Sequence, residues 1–175
     1  MVKIAHDIIQ PIHEVGHDAA GSEDRIFYRG DANEQGVPYG KGLVINLDAF
    51  GEEHIVYEGD FVNGKKHGVG MLYYFNGECQ YSGEFRDGLE HGKGHFYDPS
   101  GAKRYNGDYQ FGKEWGTGVW FHAGTKQPEY KGEWEQGVPH GTGTLFLEDG
   151  QKRYYGGWVK GEFHGTGELY NRKGK

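Results

Sequence analysis

One cysteine, two methionines, three serines and five prolines are all that 175 residues contain of those types. Each scarcity removes a class of protein. Cys79 alone closes no intramolecular disulfide. None of Ser22, Ser82 and Ser100 stands in the Gly-x-Ser-x-Gly elbow of a serine hydrolase. No apolar run approaches a membrane span, and no signal-peptide core of about 7–15 apolar residues follows Met1. These absences favour a reducing, cytoplasmic setting, with cytoskeletal or membrane-surface association as the variants of it. Positive charge is also short. Nineteen Lys and Arg against 26 Asp and Glu give a net charge of -7, which disfavours a chain built to neutralise phosphate. A nucleic-acid partner is not expected.

What is abundant is glycine, 33 residues without the Pro or Ser bias of a flexible linker. Cutting the chain before each Tyr-x-Gly exposes the order. YEGDFVNGKKHGVGMLYYF starts at Tyr57, YSGEFRDGLEHGKGHFY at Tyr81, YNGDYQFGKEWGTGVWF at Tyr105, YKGEWEQGVPHGTGTLF at Tyr130 and YYGGWVKGEFHGTGELY at Tyr154. A sixth, weaker copy, YRGDANEQGVPYGKGLVI, starts at Tyr28 and has Ala32 where the others carry an aromatic. The glycines of the leading motif are spaced by 29, 24, 24, 25 and 24 residues, a period that defines a repeat architecture.

Within a copy the pattern has the period of a strand. In Tyr81-Ser82-Gly83-Glu84-Phe85 the two rings and the glycine share one face, and Ser82 and Glu84 the other. Glycine between two same-face rings leaves bare backbone for an aromatic to lie across. Asn63-Gly64 and Asp87-Gly88 are hairpin turns. After His-Gly-x-Gly a second, short strand is expected at Met71 to Phe75, His95 to Tyr97, Val119 to Phe121, Thr144 to Leu147 and Glu168 to Tyr170. The prediction is all-β: about six hairpins over residues 26–175 forming one elongated, twisted and grooved single-layer antiparallel meander. Twelve strands roughly 4.8 Å apart make a sheet on the order of 55 Å long. A single layer leaves its aromatic face to be covered by the chain itself, another subunit or a ligand. The leader, residues 1–25, is a candidate cover. Ile4, Ile8, Ile9 and Ile12 have helical spacing, limited by Pro11, and the alternative is a disordered tail.

The unit Tyr-x-Gly-acid-aromatic, then Gly, then His-Gly-x-Gly and a short aromatic strand resembles the MORN repeat family, over residues 28 to 170. The resemblance implies a grooved sheet serving as scaffold, membrane-proximal tether or partner-binding surface, sometimes appended to a lipid kinase or methyltransferase. It brings no catalytic residues and no cofactor. Three departures stand out: Trp115 in place of the histidine, Gly157 in place of the acid, and a first copy lacking both the aromatic and the histidine.

One enzyme signature intrudes. His13-Glu14-Val15-Gly16-His17 matches the zinc-protease motif, in which two histidines hold the metal and the glutamate works on water. The extended form wants glycine and histidine where Ala20 and Glu23 stand, Gly16 weakens a helix between the ligands, and only 12 residues precede the motif. A catalytic metal site is therefore not expected, and adventitious zinc or nickel on His6, His13 and His17 is the residual reading. In the series His67, His91, His140 and His164, equivalent positions in successive hairpins lie two strands apart, about 9.5 Å, too far to gather on one ion. Turn histidines bonded to nearby backbone are the expectation. Asp60, Glu84, Asp108 and Glu133 recur at the same interval as outward, solvated groups.

Binding hypotheses remain. The first is a non-catalytic adaptor gripping a protein or peptide segment with Tyr57, Phe61, Tyr81, Phe85, Tyr105, Tyr109, Tyr130, Trp134, Tyr154 and Trp158, large rings with polar tips. Against it stands the use of half or more of them as the sheet's own core. The second is adhesion to anionic phospholipid through Lys65, Lys66, Lys103, Arg104, Lys152 and Arg153, which the acid excess weakens. The third is self-association into a homodimer through exposed terminal strands. A targeting module excised from a larger enzyme is a further alternative.

Overall fold

The structure, a computed structural model, describes residues 10–11 and 25–171. It is one antiparallel sheet of thirteen strands in chain order. A two-residue strand β1, Gln10–Pro11, is followed by β2 Arg25–Ala32, β3 Pro38–Leu47, β4 Glu53–Val62, β5 Lys65–Tyr73, β6 Cys79–Arg86 and β7 Leu89–Tyr97. The sheet continues with β8 Lys103–Gln110, β9 Lys113–Phe121, β10 Pro128–Glu135, β11 Val138–Phe146, β12 Lys152–Val159 and β13 Glu162–Leu169. No helix occurs among the described residues. The one described part of the leader is a strand: Gln10 pairs with Tyr28 and Pro11 with Phe27. The expected leader helix finds no support there, and its isoleucines lie outside the described residues.

Local chemistry explains the meander. Asn63-Gly64 and Asp87-Gly88 hold positive φ at both positions, as a two-residue hairpin requires, and the same geometry recurs at Phe111-Gly112, Gln136-Gly137 and Lys160-Gly161. The first copy is a full hairpin despite Ala32, closed by Asn33, whose Oδ1 accepts from the Gln35 and Val37 amides. The second strand of each copy is longer than expected. From the copy at Tyr57 onward it starts straight after the tight turn and contains His-Gly-x-Gly, or Trp-Gly-x-Gly in the copy at Tyr105. In β4 and β5 the register runs Gly59↔Gly70 and then Asp60↔His67, so Gly68 and Val69 form a bulge. Gly68 supplies the φ of +61° and pairing resumes beyond it.

The core is a single file of rings. Tyr57 packs edge to face on Phe61 of its own strand and on Phe85 of the next copy, and the zigzag continues to Trp158, with centroid separations of 5.1 to 5.4 Å. Each such pair contributes about 0.5–1.5 kcal/mol beyond the area it buries. Tyr28 joins the file through Phe61.

Candidate functional site

The face that bears the rings is organised by glycine. Gly30, Gly42, Gly59, Gly70, Gly83, Gly94, Gly107, Gly118, Gly132, Gly143, Gly156 and Gly167 stand opposite one another across successive strands and form an unbroken row. The leading tyrosine of each copy lies over a glycine pair. A Cβ on Gly70 would stand 2.6 Å from Cε2 of Tyr57, so no other residue fits beneath that ring. The hydroxyl then reaches the backbone three residues on: Tyr57 donates to the Asp60 carbonyl at 3.1 Å, Tyr81 to Glu84 at 3.0 Å and Tyr105 to Asp108 at 3.1 Å. The indoles of Trp134 and Trp158 donate to the carbonyls of Gly118 and Gly143.

The ten rings expected to grip a partner are thus 0 to 7% exposed. They cover one another, so of the covers that the sequence left open it is the chain itself that closes the row. What stands beside them on this face is a second row, the half-buried Leu72, Phe96, Trp120 and Leu145. On the other flank Lys66 extends over Tyr57 and Phe85, its Nζ 5.5 Å from each ring. Burial pulls its pKa down while Glu90 works the other way. Glu114, two strands beyond Glu90, is pushed up by burial and by the Glu90 charge.

On the opposite face the repeated acids have a structural task. Asp60 accepts from the Val69 amide at 3.0 Å, Glu84 from Lys93 at 2.9 Å, Asp108 from Thr117 at 3.0 Å and Glu133 from Thr142 at 2.9 Å. These are the amides that the bulge takes out of the ladder. Lys41 salt-bridges Asp60 at 2.6 Å, and this bond, with the Val69 amide, holds the Asp60 carboxyl below its usual range. Lys93 does the same service for Asp108. The acids point outward as expected, but they are bonded rather than merely solvated.

A tyrosine on a glycine pair, an acid on a bulge amide and a ring from the next copy recur through the sheet. A family model for the MORN repeat matches residues 57–79, 81–103, 130–152 and 154–175, just over half of the chain. The chain belongs to the MORN repeat family. No curated protein matches it. The copy starting at Tyr105 lies outside the matched segments, yet it folds as a MORN hairpin, with Trp115 in the place of the histidine opposite Asp108. The copy at Tyr154 has Gly157 in place of the acid. A Cβ there would press on the His164 carbonyl.

The remaining sequence candidates scatter. Lys65 and Lys66 begin β5 at the tight-turn edge, whereas Lys103, Arg104, Lys152 and Arg153 begin β8 and β12 at the opposite edge. A strand of eight residues separates the two sets by roughly 25 Å, so the six form no common basic patch. Arg104 lies over the Trp120 ring at 5.3 Å. The histidines sit inside strands rather than in turns. His140 faces Glu135 at 3.2 Å, and Nδ1 of His91 is buried without a partner. Cys79 is half-buried, and burial raises its pKa. His6, His13 and His17 lie outside the described residues. One group the sequence reading did not single out, Asp48, Glu52 and His54, brings three potential ligand atoms within 4.8 Å of one another. Asp48 is already engaged there by the Phe50 and Glu52 amides and by His54. No helix among the described residues is long and apolar enough to cross a membrane.

Proposed function

We propose that this MORN array is a non-catalytic scaffold that binds a protein segment along its ring-bearing face. One observation supports the reading above the others: Leu72, Phe96, Trp120 and Leu145 recur every second strand, half-buried against the ring file. A regular apolar row on a rigid floor suits an extended or helical segment whose apolar side chains share that spacing. The ten buried rings act as the platform, holding the row at fixed spacing, and the twelve-glycine row lets that platform lie close to the backbone. Lipid tethering is weaker, because the six basic residues named for it divide between two edges. A homodimer would place this face, or a terminal strand, against a second copy.

The test is affinity capture from lysate beside sedimentation velocity. Trp120→Glu with Phe96→Glu is compared with Lys152→Glu with Arg153→Glu. A protein retained by the parent and by the charge variant but lost from the ring-face variant supports the reading. Retention by all three, or no captured protein with a dimer instead, sinks it. Folding of each variant is checked by its near-ultraviolet circular dichroism.

A further inference from the structure

The long-turn edge contains a gap that its own repeat logic explains. In the copy starting at Tyr57 the turn is bridged to the following one by side chains: Tyr74 donates to the Tyr97 carbonyl at 2.8 Å and Asn76 to that of Pro99 at 2.8 Å. The copy starting at Tyr81 has Asp98 and Ser100 at these two positions. Both bond inward, Asp98 accepting from the Ser100 and Ala102 amides and from the Ser100 hydroxyl. Neither reaches the turn at 122–127, which also carries one residue more than its neighbours. The two turns therefore stand apart, and a hollow of about 520 Å³ opens between them.

Its walls are apolar and its charge has one sign. Tyr97, Phe121 and Ala102 line it, with Thr125, Lys103 and Lys126. Lys103 extends over the Tyr97 ring, 5.5 Å from its centroid. Neither lysine makes an ion pair among the described residues. The comparable hollow two copies upstream is lined instead by Glu53, His54, Tyr73 and Phe75. There His54 and Phe75 stack on each other and Glu53 is bound by Arg29. Only the downstream hollow combines two unpaired cations with an open aromatic floor.

We propose that this hollow takes an acidic side chain next to an aromatic or large apolar one, presented by a segment of a partner protein. It rests on the protein-binding reading above and adds a second, charge-selective contact to it. The carboxylate would meet Lys103 and Lys126, and the apolar neighbour would lie on Tyr97 and Phe121. A protein segment fits better than an anionic membrane. The other turns on this edge carry exposed Glu52, Glu78, Glu148 and Asp149, which a plane of negative headgroups would have to approach together, whereas a single inserted segment meets only Glu78, whose carboxylate lies beside Gly101.

The test uses the whole chain, a fluorescein-labelled peptide Glu-Asp-Phe-Glu-Asp-Leu, the same peptide with lysine for each acid, and phosphatidylcholine vesicles containing phosphatidylserine. Anisotropy should show the acidic peptide binding, weakening as salt is raised, and the lysine peptide not. Lys126→Glu, at an exposed turn position outside the ladder, should weaken it about fivefold, and Lys103→Glu with Lys126→Glu more than tenfold, with near-ultraviolet circular dichroism confirming that each variant is folded. Lys152→Glu with Arg153→Glu, on the same edge, should change it less than twofold. Equal binding of both peptides, no binding of the acidic one, or full affinity in Lys126→Glu overturns the proposal. Vesicle pelleting that depends on Lys103 and Lys126 while the acidic peptide stays free overturns it in favour of lipid. A lysate partner kept by the double lysine variant but lost on Trp120→Glu also defeats this inference, and leaves the ring-face reading standing.

Discussion

Along one long edge of the sheet every reversal from Asn63 onward is a two-residue turn whose glycine amide donates to the preceding hairpin: Gly64 to Pro38, Gly88 to Lys66, Gly112 to Glu90, Gly137 to Glu114, Gly161 to Pro139. Along the other edge the reversals are longer; each closes on itself through backbone bonds, such as Tyr74 N to Glu78 O and Asp98 N to Ala102 O, but what joins one turn to the next is side chains. Asp48, Asn76, Asp98 and Asp149 cap their own turns, and Tyr74, Asn76 and His122 reach a neighbouring hairpin. The first edge is written in backbone, so it is uniform and tolerates Phe111 or Lys160 where Asn or Asp would be expected. Between its turns the second is written in side chains, so two substitutions suffice to part them. Sequence variation between the copies therefore collects on one edge, while the other keeps the spacing of the array.

Both edges hang on one core, and the largest expected effect removes that core. Burial lifts the Tyr28 phenol from 10.0 to about 12, and raises those of Tyr57, Tyr81, Tyr105, Tyr109 and Tyr130 as well. Above pH 10 the unfolded chain loses these protons and the folded chain keeps them, so the unfolded state binds fewer. Stability is then fully present below pH 10 and falls as pH rises through 12, by about 1.4 kcal/mol per tyrosine per pH unit. Thermal melts across this range should drop steeply, and hydrogen exchange should open both edges in one transition. Edges that open at different pH values would mean two cores rather than one.

Next in size is Gly70→Ala, which drives a methyl group into the Tyr57 ring and should cost about 3 kcal/mol in denaturant titration. A cost near that of an ordinary surface substitution would show that the ring lies elsewhere. Smaller again are the side-chain bridges of the variable edge. Tyr74→Phe and Asn76→Ala should each cost about 1 kcal/mol and speed exchange of amides in the turn at 98–102, with no change at Gly88 or Gly112. Loss of protection at those two glycines would end the claim that the edges are separately closed.

Much of this was legible in the sequence, for local reasons. The alternation of rings and glycines reports a strand face, and Asn63-Gly64 or Asp87-Gly88 reports a turn, because each depends on residues close in the chain. His67-Gly68 misleads for a related reason. Positive φ at Gly68 looks like the end of a strand, whereas pairing across the bulge, which restores the ladder, involves β4. The acids are harder still, since Asp60 is explained by an amide nine residues away. How fully the ring row covers itself was not legible, because Phe85 seals Tyr57 from the next copy, a contact fixed by how far successive hairpins rotate. The split of the six basic residues could have been read from connectivity: Lys65 follows a tight turn and Lys103 a long one.

The smallest expected effect tests the backbone-written edge directly. Phe111 holds φ of +51° in the first position of its turn and is 66% exposed, although bulky side chains disfavour that region. It persists because the Gly112 amide is anchored on Glu90 whatever precedes it. Its ring gains only an edge contact with His91, at 5.7 Å. Phe111→Asn removes the steric penalty, keeps the anchor and sacrifices little packing, so it should stabilise the chain by less than about 1 kcal/mol, measured as a small rise in Tm. Exchange at Gly112 should be unchanged or slower. A fall in Tm would mean that the Phe111 ring holds its turn by packing, and that this edge too is written in side chains.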